Sequence, residues 1–402
     1  MIDDVVITGT GVVSSIGLTT PAFFDSLCAG RTGVTADHGV DLSPTPARLL
    51  APVREFDPGR WLTGDTVRRM SRYAQFATTA ATMAAREAGL NPERPLGHRV
   101  GALCGAMVGS PTFVFDYYHP IVEKGVPAAS PLLFGEGVPN APTSHLSMSL
   151  GISGGCQTLL GNREVGLECV LLATEMVRSG RYDIVLAGAG EEYHPVVGQV
   201  FDRLRLLSPL SGESERIAPF AARPSGVVFG EGSAFVVIES AAHAEKRSAR
   251  PLARIVSAQS AVGSSDPDKP ETTVQDAAIS AIVDSTDPER SRPPLVFSSA
   301  CGLALDQVEC RALARLGYDE TITVTSVTGS IGECLAVTPL AALAAAVHAG
   351  QSRQCPPTLT TQPALPQGLR CPTATEEVSS DRFLILASSL ESACQAVLLQ
   401  RP

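Results

Sequence analysis

Short β-branched runs and amphipathic helical stretches alternate along the whole chain, and the alternation runs through one plan twice; no other feature restricts the fold as strongly. Val5 to Gly9 is a β-branched run that breaks at Gly9-Thr-Gly11, and Thr20-Pro21 opens a helix closed by Gly30. Asp65 is the expected N-cap of a long helix. Its small or apolar positions Val67, Met70, Ala74, Ala77, Ala81, Ala84 and Ala88 recur in steps of three and four as far as Gly89. That stripe of alanines predicts close packing against other backbone. A strand from Val100 to Met107, helices over 111–124 and 141–150, and a buried strand-to-helix unit over 156–179 follow. Strands at 183–188 and 230–239 close the first pass. The second pass predicts strands at 252–260, 294–298 and 321–325, helices at 272–284, 305–316 and 331–349, and closing strands near 382–388 and 393–399. Helices layered on mixed or parallel sheets are expected, in two similar halves, 1–245 and 246–402.

Charge and composition narrow the function. There are 41 acidic against 31 basic residues, a net charge of -10, and no block of Lys or Arg, so a nucleic-acid partner is not expected. The start, Met1-Ile2-Asp3-Asp4, is acidic where a secretory signal is basic. No apolar run is expected to reach the roughly 18 to 20 residues of a membrane span, so the expected location is cytoplasmic, with no membrane partner. Ten cysteines are scattered without a C-x-x-C pair, which points to neither a zinc site nor a disulfide framework. Gly9-Thr-Gly11 lacks the third glycine and the ribose-binding acid of a dinucleotide site. No cofactor or metal is expected.

Four segments together are more specific: Val5 through Gly17 (VVITGTGVVSSIG), Arg69 through Ala77 (RMSRYAQFA), Gly180 through Glu191 (GRYDIVLAGAGE) and Gly226 through Gly232 (GVVFGEG). In these the chain resembles the β-ketoacyl-[acyl carrier protein] synthases of the thiolase superfamily, almost end to end. The resemblance implies an α/β, thiolase-like fold, two duplicated halves in a five-layer α/β/α/β/α arrangement that dimerises through the first half. It also implies a site of known chemistry. A Cys nucleophile sits at the N-terminus of a buried helix, where the dipole favours the thiolate. Two His, supported by a Lys, assist decarboxylation of a malonyl thioester, and backbone N–H groups hold the oxyanion.

Carried over residue by residue, that site is degenerate. Counting from Gly151 to Gly154, with Gly166, Gly180 and Asp183 in register, Arg163 falls at the nucleophile position. Ser298 replaces the first His, eight residues before Asp306; Thr325 replaces the Lys and Ser330 the second His. The glycine-rich closing loop becomes Ser389 to Cys394, and none of the seven His falls at a matched position. Within the family this combination resembles the chain-length factor, the β subunit of the ketosynthase of bacterial type II polyketide synthases, although those usually carry Gln where Arg163 stands. The implied partners are a ketosynthase α subunit, forming a heterodimer, and an acyl carrier protein. The implied acyl-tunnel wall is Val108, Thr112, Phe115 and Asp116, with Val108, Thr112 and Asp116 on one helical face. The implied partner contact is Leu132, Leu133 and Phe134. A buried guanidinium needs an anion, and Glu391, then Glu333, then Glu164 are the expected candidates. Two other classes stand beside this reading: a self-sufficient acyltransferase using a displaced Cys156, Cys169 or Cys301, and a homodimeric acyl-binding or regulatory protein.

Overall fold

The computed structural model describes residues 4–62, 65–210, 214–262, 274–290 and 292–390, together with 393–402. The first pass comprises β1 (Val5–Val13), α1 (Thr20–Cys28), α2 (Arg72–Glu87), β2 (Val100–Ala106), α3 (Pro111–Lys124), α4 (Pro131–Gly137), α5 (Ala141–Leu150), β3 (Cys156–Leu160), α6 (Val165–Arg178), β4 (Ile184–Glu191), α7 (Pro195–Arg203), β5 (Gly232–Ser240) and α8 (Ala241–Lys246). The second comprises β6 (Ala253–Val262), α9 (Val274–Thr286), β7 (Leu295–Phe297), α10 (Ala304–Ala314), β8 (Ile322–Thr325), α11 (Thr328–Ile331), α12 (Thr338–Ser352), the short β9 (Gln354–Cys355), β10 (Leu369–Arg370) and β11 (Glu376–Glu377), then β12 (Arg382–Ser388) and β13 (Ala393–Gln400).

Eleven strands form one mixed sheet in the order β10-β8-β7-β12-β13-β6-β1-β5-β4-β2-β3. Its two arms repeat one arrangement: the first strand of each pass pairs with the last, and the order continues penultimate, second, third. The arms meet where β1 pairs antiparallel with β6 over Val5 to Ile7 alone. Three apolar layers clad them. In the middle, α1, α6 and α12 pack between the inner faces of both arms through residues such as Leu167, Val170, Leu340 and Leu343. Outside the first arm α2 and α5 bury Phe76, Ala80, Ala84 and Leu146; outside the second, α9 and α10 bury Ile279, Ile282, Cys310 and Leu313. The layers therefore run α/β/α/β/α.

The Gly9-Thr-Gly11 break has a packing cause. A Cβ on Gly11 would lie 1.9 Å from the Ala80 carbonyl oxygen, and one on Gly9 2.2 Å from that of Ala84. The alanine stripe of α2 lies directly on the β1 backbone, as its spacing predicted.

Four expectations are corrected. Asp65 does not cap α2: residues 65–68 form a 3-10 turn, and Ser71 is the N-cap, its Oγ accepting from Ala74 N at 3.2 Å. The strand in the 156–179 unit is not buried, because β3 is the sheet edge and alternates half-buried with exposed positions. The helix expected over 331–349 starts only at Thr338, because Gly332 (φ +74) and Leu335 (φ +52) turn the chain between α11 and α12. Finally, one apolar stretch does reach spanning length, Leu335–Ser352, but 83% of it is buried inside the protein, where α12 is the central helix.

Candidate functional site

The start of α6, the turns after β7 and α11, and the end of β12 converge on the Arg163 side chain, which is 3% exposed. Arg163 precedes the helix, its N–H held by Asn162 Oδ1 at 2.8 Å. From there the guanidinium reaches across the middle layer. Nη2 donates to Glu333 Oε2 at 2.6 Å and to the Ser299 carbonyl at 2.7 Å, and Nη1 lies 3.4 Å from the Ser388 carbonyl. Nε has no partner among the described residues. The other Glu333 oxygen accepts from Leu335 N at 2.8 Å and from Thr338 Oγ1 at 3.1 Å, so this carboxylate also fastens the start of α12. Burial works against the Arg163 charge, yet the acidic neighbours Cys301, Glu333 and Glu309 together outweigh it and hold the guanidinium above its ordinary pKa. A cation at a helix N-terminus is opposed by the macrodipole, and Glu333 supplies the anion that this placement requires. The anion is Glu333, the second of the expected partners; the first, Glu391, lies outside the described residues.

The other replaced positions are satisfied by neighbours. Ser298, at the end of β7, donates its hydroxyl to Glu309, and Ser299 donates to the second Glu309 oxygen at 2.8 Å. Ser298 N also bonds the Thr325 carbonyl at 2.9 Å, which brings positions 298 and 325 side by side. Thr325 Oγ1 lies 3.3 Å from the Pro356 carbonyl and accepts from Thr358 Oγ1 at 3.0 Å. Ser330 is buried in α11, its carbonyl accepting from Gly33 N at 2.8 Å. Asp306 takes the backbone N–H groups of Phe220, Cys301 and Gly302, and burial pushes its pKa up to about 6. Glu309 was not singled out from the sequence. It lies one helical turn beyond Asp306 on α10, and that spacing was the available signal.

A permanently charged guanidinium is not a nucleophile, and Ser298 hydrogen-bonds to a carboxylate without an imidazole to relay a proton. The displaced-nucleophile alternative fares no better. Burial drives the thiols of Cys169 and Cys301 well above their ordinary pKa and raises that of half-buried Cys156. At neutral pH all three are protonated, and the thiolate is the reactive form.

Of the expected tunnel residues, Thr112, Phe115 and Asp116 are on α3, and Val108 packs against an apolar cluster that includes Cys301, Leu303 and Leu335. Thr112 is in the first turn of that helix, half-buried, and Asp116 is exposed. Phe115 is partly exposed, its ring 5.2 Å from that of His119 and 4.9 Å from that of His194. Val108 is not on the helix, contrary to the shared face expected for it: Gly109, at φ +73, turns the chain before α3 begins at Pro111. On α4, Leu132 and Phe134 are exposed and Leu133 is half-buried. Glu136 anchors α4 to α5 through His145, whose Nε2 lies 2.8 Å away.

Residues 3–244 match the N-terminal domain of the β-ketoacyl synthases. A Streptomyces halstedii protein described as a putative polyketide β-ketoacyl synthase 1 is 35% identical over 61% of this chain, and the match spans 60% of that relative's length. The tetracenomycin polyketide synthase ketoacyl synthase alpha subunit of Streptomyces glaucescens is 28% identical over 99% of this chain and 97% of its own. Among solved structures, the ishigamide ketosynthase/chain length factor superposes with a TM-score of 0.89 at 23% identity, covering all of both chains. A type II polyketide synthase acyl-carrier protein in complex with its ketosynthase gives 0.87 at 21% identity, again over all of both chains. The layered, duplicated architecture is thus thiolase-like, and the chain belongs to the β-ketoacyl synthase family.

Proposed function

We propose that this chain is a non-catalytic ketosynthase β subunit, a chain-length factor acting in the cytoplasm, with halves 1–245 and 246–402. It pairs with an active α subunit and shapes the acyl tunnel during polyketide assembly. The observation that carries the reading is the Arg163–Glu333 pair, 2.6 Å apart and shut off from solvent where a thioester would have to form. The α subunit supplies the Cys, both His and the Lys. Malonyl-carrier protein loses CO2 there, and the resulting enolate attacks the Cys-bound acyl thioester, forming the new C–C bond and releasing the thiolate.

Support for a partner comes from the first arm. Its edge strand β3 leaves one side unpaired, a state that natural sheets cover. Leu160 on that strand and, in the segment before it, Val114, Phe115, Tyr118, Val122, Leu132, Phe134 and Met148 are all exposed large apolar residues. A patch of that kind marks an interaction surface, and an interface of the obligate class, above about 2,000 Å² in total, would cover it.

The test is reconstitution with the α subunit. Condensation beyond the first step is expected only with both chains present. In that heterodimer Thr112→Trp should shorten the product by about two to four carbons, since one helical turn of about 5.4 Å matches roughly two extended two-carbon units. Bulky substitutions at 108, 112 and 116 that leave the products unchanged, with activity retained, would place the ruler elsewhere.

A further inference from the structure

Two adjacent carboxylates at the end of β4 hold the backbone that carries the tunnel wall. Met107 N, Val108 N and Gly109 N all donate to the Glu191 carboxylate, the last two at 3.2 and 2.8 Å to Oε2. Glu192 accepts from Thr112 N at 3.1 Å through Oε1 and from Tyr73 N on α2 at 2.8 Å through Oε2. Both are buried, Glu191 at 1% and Glu192 at 4% exposure. The turn over 107–110 and the first turn of α3 are thus pinned to the sheet through carboxylate oxygens. Each of those oxygens faces a backbone N–H, which cannot accept a proton from it.

We infer that Glu191 and Glu192 are positioning residues for chain-length control, fixing where Val108 and Thr112 stand in the acyl tunnel. The inference rests on the reading of α3 as tunnel wall. Glu191→Gln is close to isosteric but replaces one of its two oxygens with an NH2 that meets backbone N–H groups. The turn must then move, and the wall with it. Protonation does the same to wild type, because an added carboxyl hydrogen also points at donors. Burial pushes Glu191 up to about 7, against the pull of its three N–H partners, so it ionises within an accessible range. The other groups facing it are Glu192 beside it, Tyr73 on α2, Cys104 on β2 and Cys334 before α12. Burial raises the tyrosine and both thiols out of that range, and beyond Glu192 lies Glu231, ion-paired to Arg72 at 2.6 Å.

The experiment compares product length distributions from the reconstituted heterodimer at pH 6 and pH 8, using wild type, Glu191→Gln and Thr112→Trp. Wild type should give a broader distribution at pH 6 than at pH 8, and Glu191→Gln the broad one at both. A narrow, pH-independent distribution from wild type, or a Glu191→Gln variant matching wild type at both values, overturns the inference. If the variant does not assemble, the wild-type comparison decides alone. Should Thr112→Trp shift the products while Glu191→Gln does not, only this inference fails. If neither shifts them, the tunnel reading fails and the inference with it.

Discussion

Arg163→Ala should lower the folding stability of this chain by about 3 to 5 kcal/mol, the range for breaking a buried ion pair from one side. Removing the guanidinium strands the Glu333 carboxylate at 1% exposure, with Leu335 N–H, the Thr338 hydroxyl and the Cys301 thiol left beside it. It also takes the donors away from the Ser299 and Ser388 carbonyls. Adding Glu333→Gln removes the stranded charge while keeping an oxygen for Leu335 N–H and Thr338. The double variant should therefore be more stable than Arg163→Ala alone, by at least about 1 kcal/mol. Urea unfolding of the three proteins reads both differences. Coincident curves for wild type and Arg163→Ala would remove the ion pair from any structural role.

The second large effect concerns assembly. Leu160 on the edge strand is 63% exposed and Phe134 on α4 is 57% exposed, so an aspartate at either position should leave the isolated chain's fold intact. At an interface, the same substitution places a charge against apolar surface at a position of the type that carries most binding energy. Leu160→Asp with Phe134→Asp should weaken association with the α subunit at least about 100-fold, or about 2.7 kcal/mol. Sedimentation at micromolar concentration distinguishes a surviving heterodimer from separated chains. Wild-type affinity in the double variant would move the interface away from α4 and β3.

Local signals were reliable where one physical demand had one solution. Gly9 and Gly11 had to be glycine because helix backbone lies on them, and the alanine spacing of α2 announced the same contact from the other side. The positions given to Arg163 and Ser298 rest on counting from glycines, and the structure sets the two residues beside the acids Glu333 and Glu309 respectively. Where two local solutions were nearly equal, tertiary contacts decided. Asp65 and Ser71 are both competent N-caps, and the choice fell to Ser71, two residues before Tyr73, whose N–H is anchored by Glu192. Gly109 is one glycine among 36, and only its positive φ separates Val108 from the helix that follows. The Glu191-Glu192 pair is not legible in the sequence, because what it holds is backbone some eighty residues or more away, which no spacing reveals.

On the proposed reading, chemistry resides in the partner and not in this chain. Intact-mass measurement after incubation with an acyl-loaded carrier protein tests it most directly, first with this chain alone and then with the heterodimer. No acyl adduct is expected on this chain in either sample, and one adduct per heterodimer is expected, carried by the α subunit. A stoichiometric acyl adduct on any cysteine of this chain would contradict it.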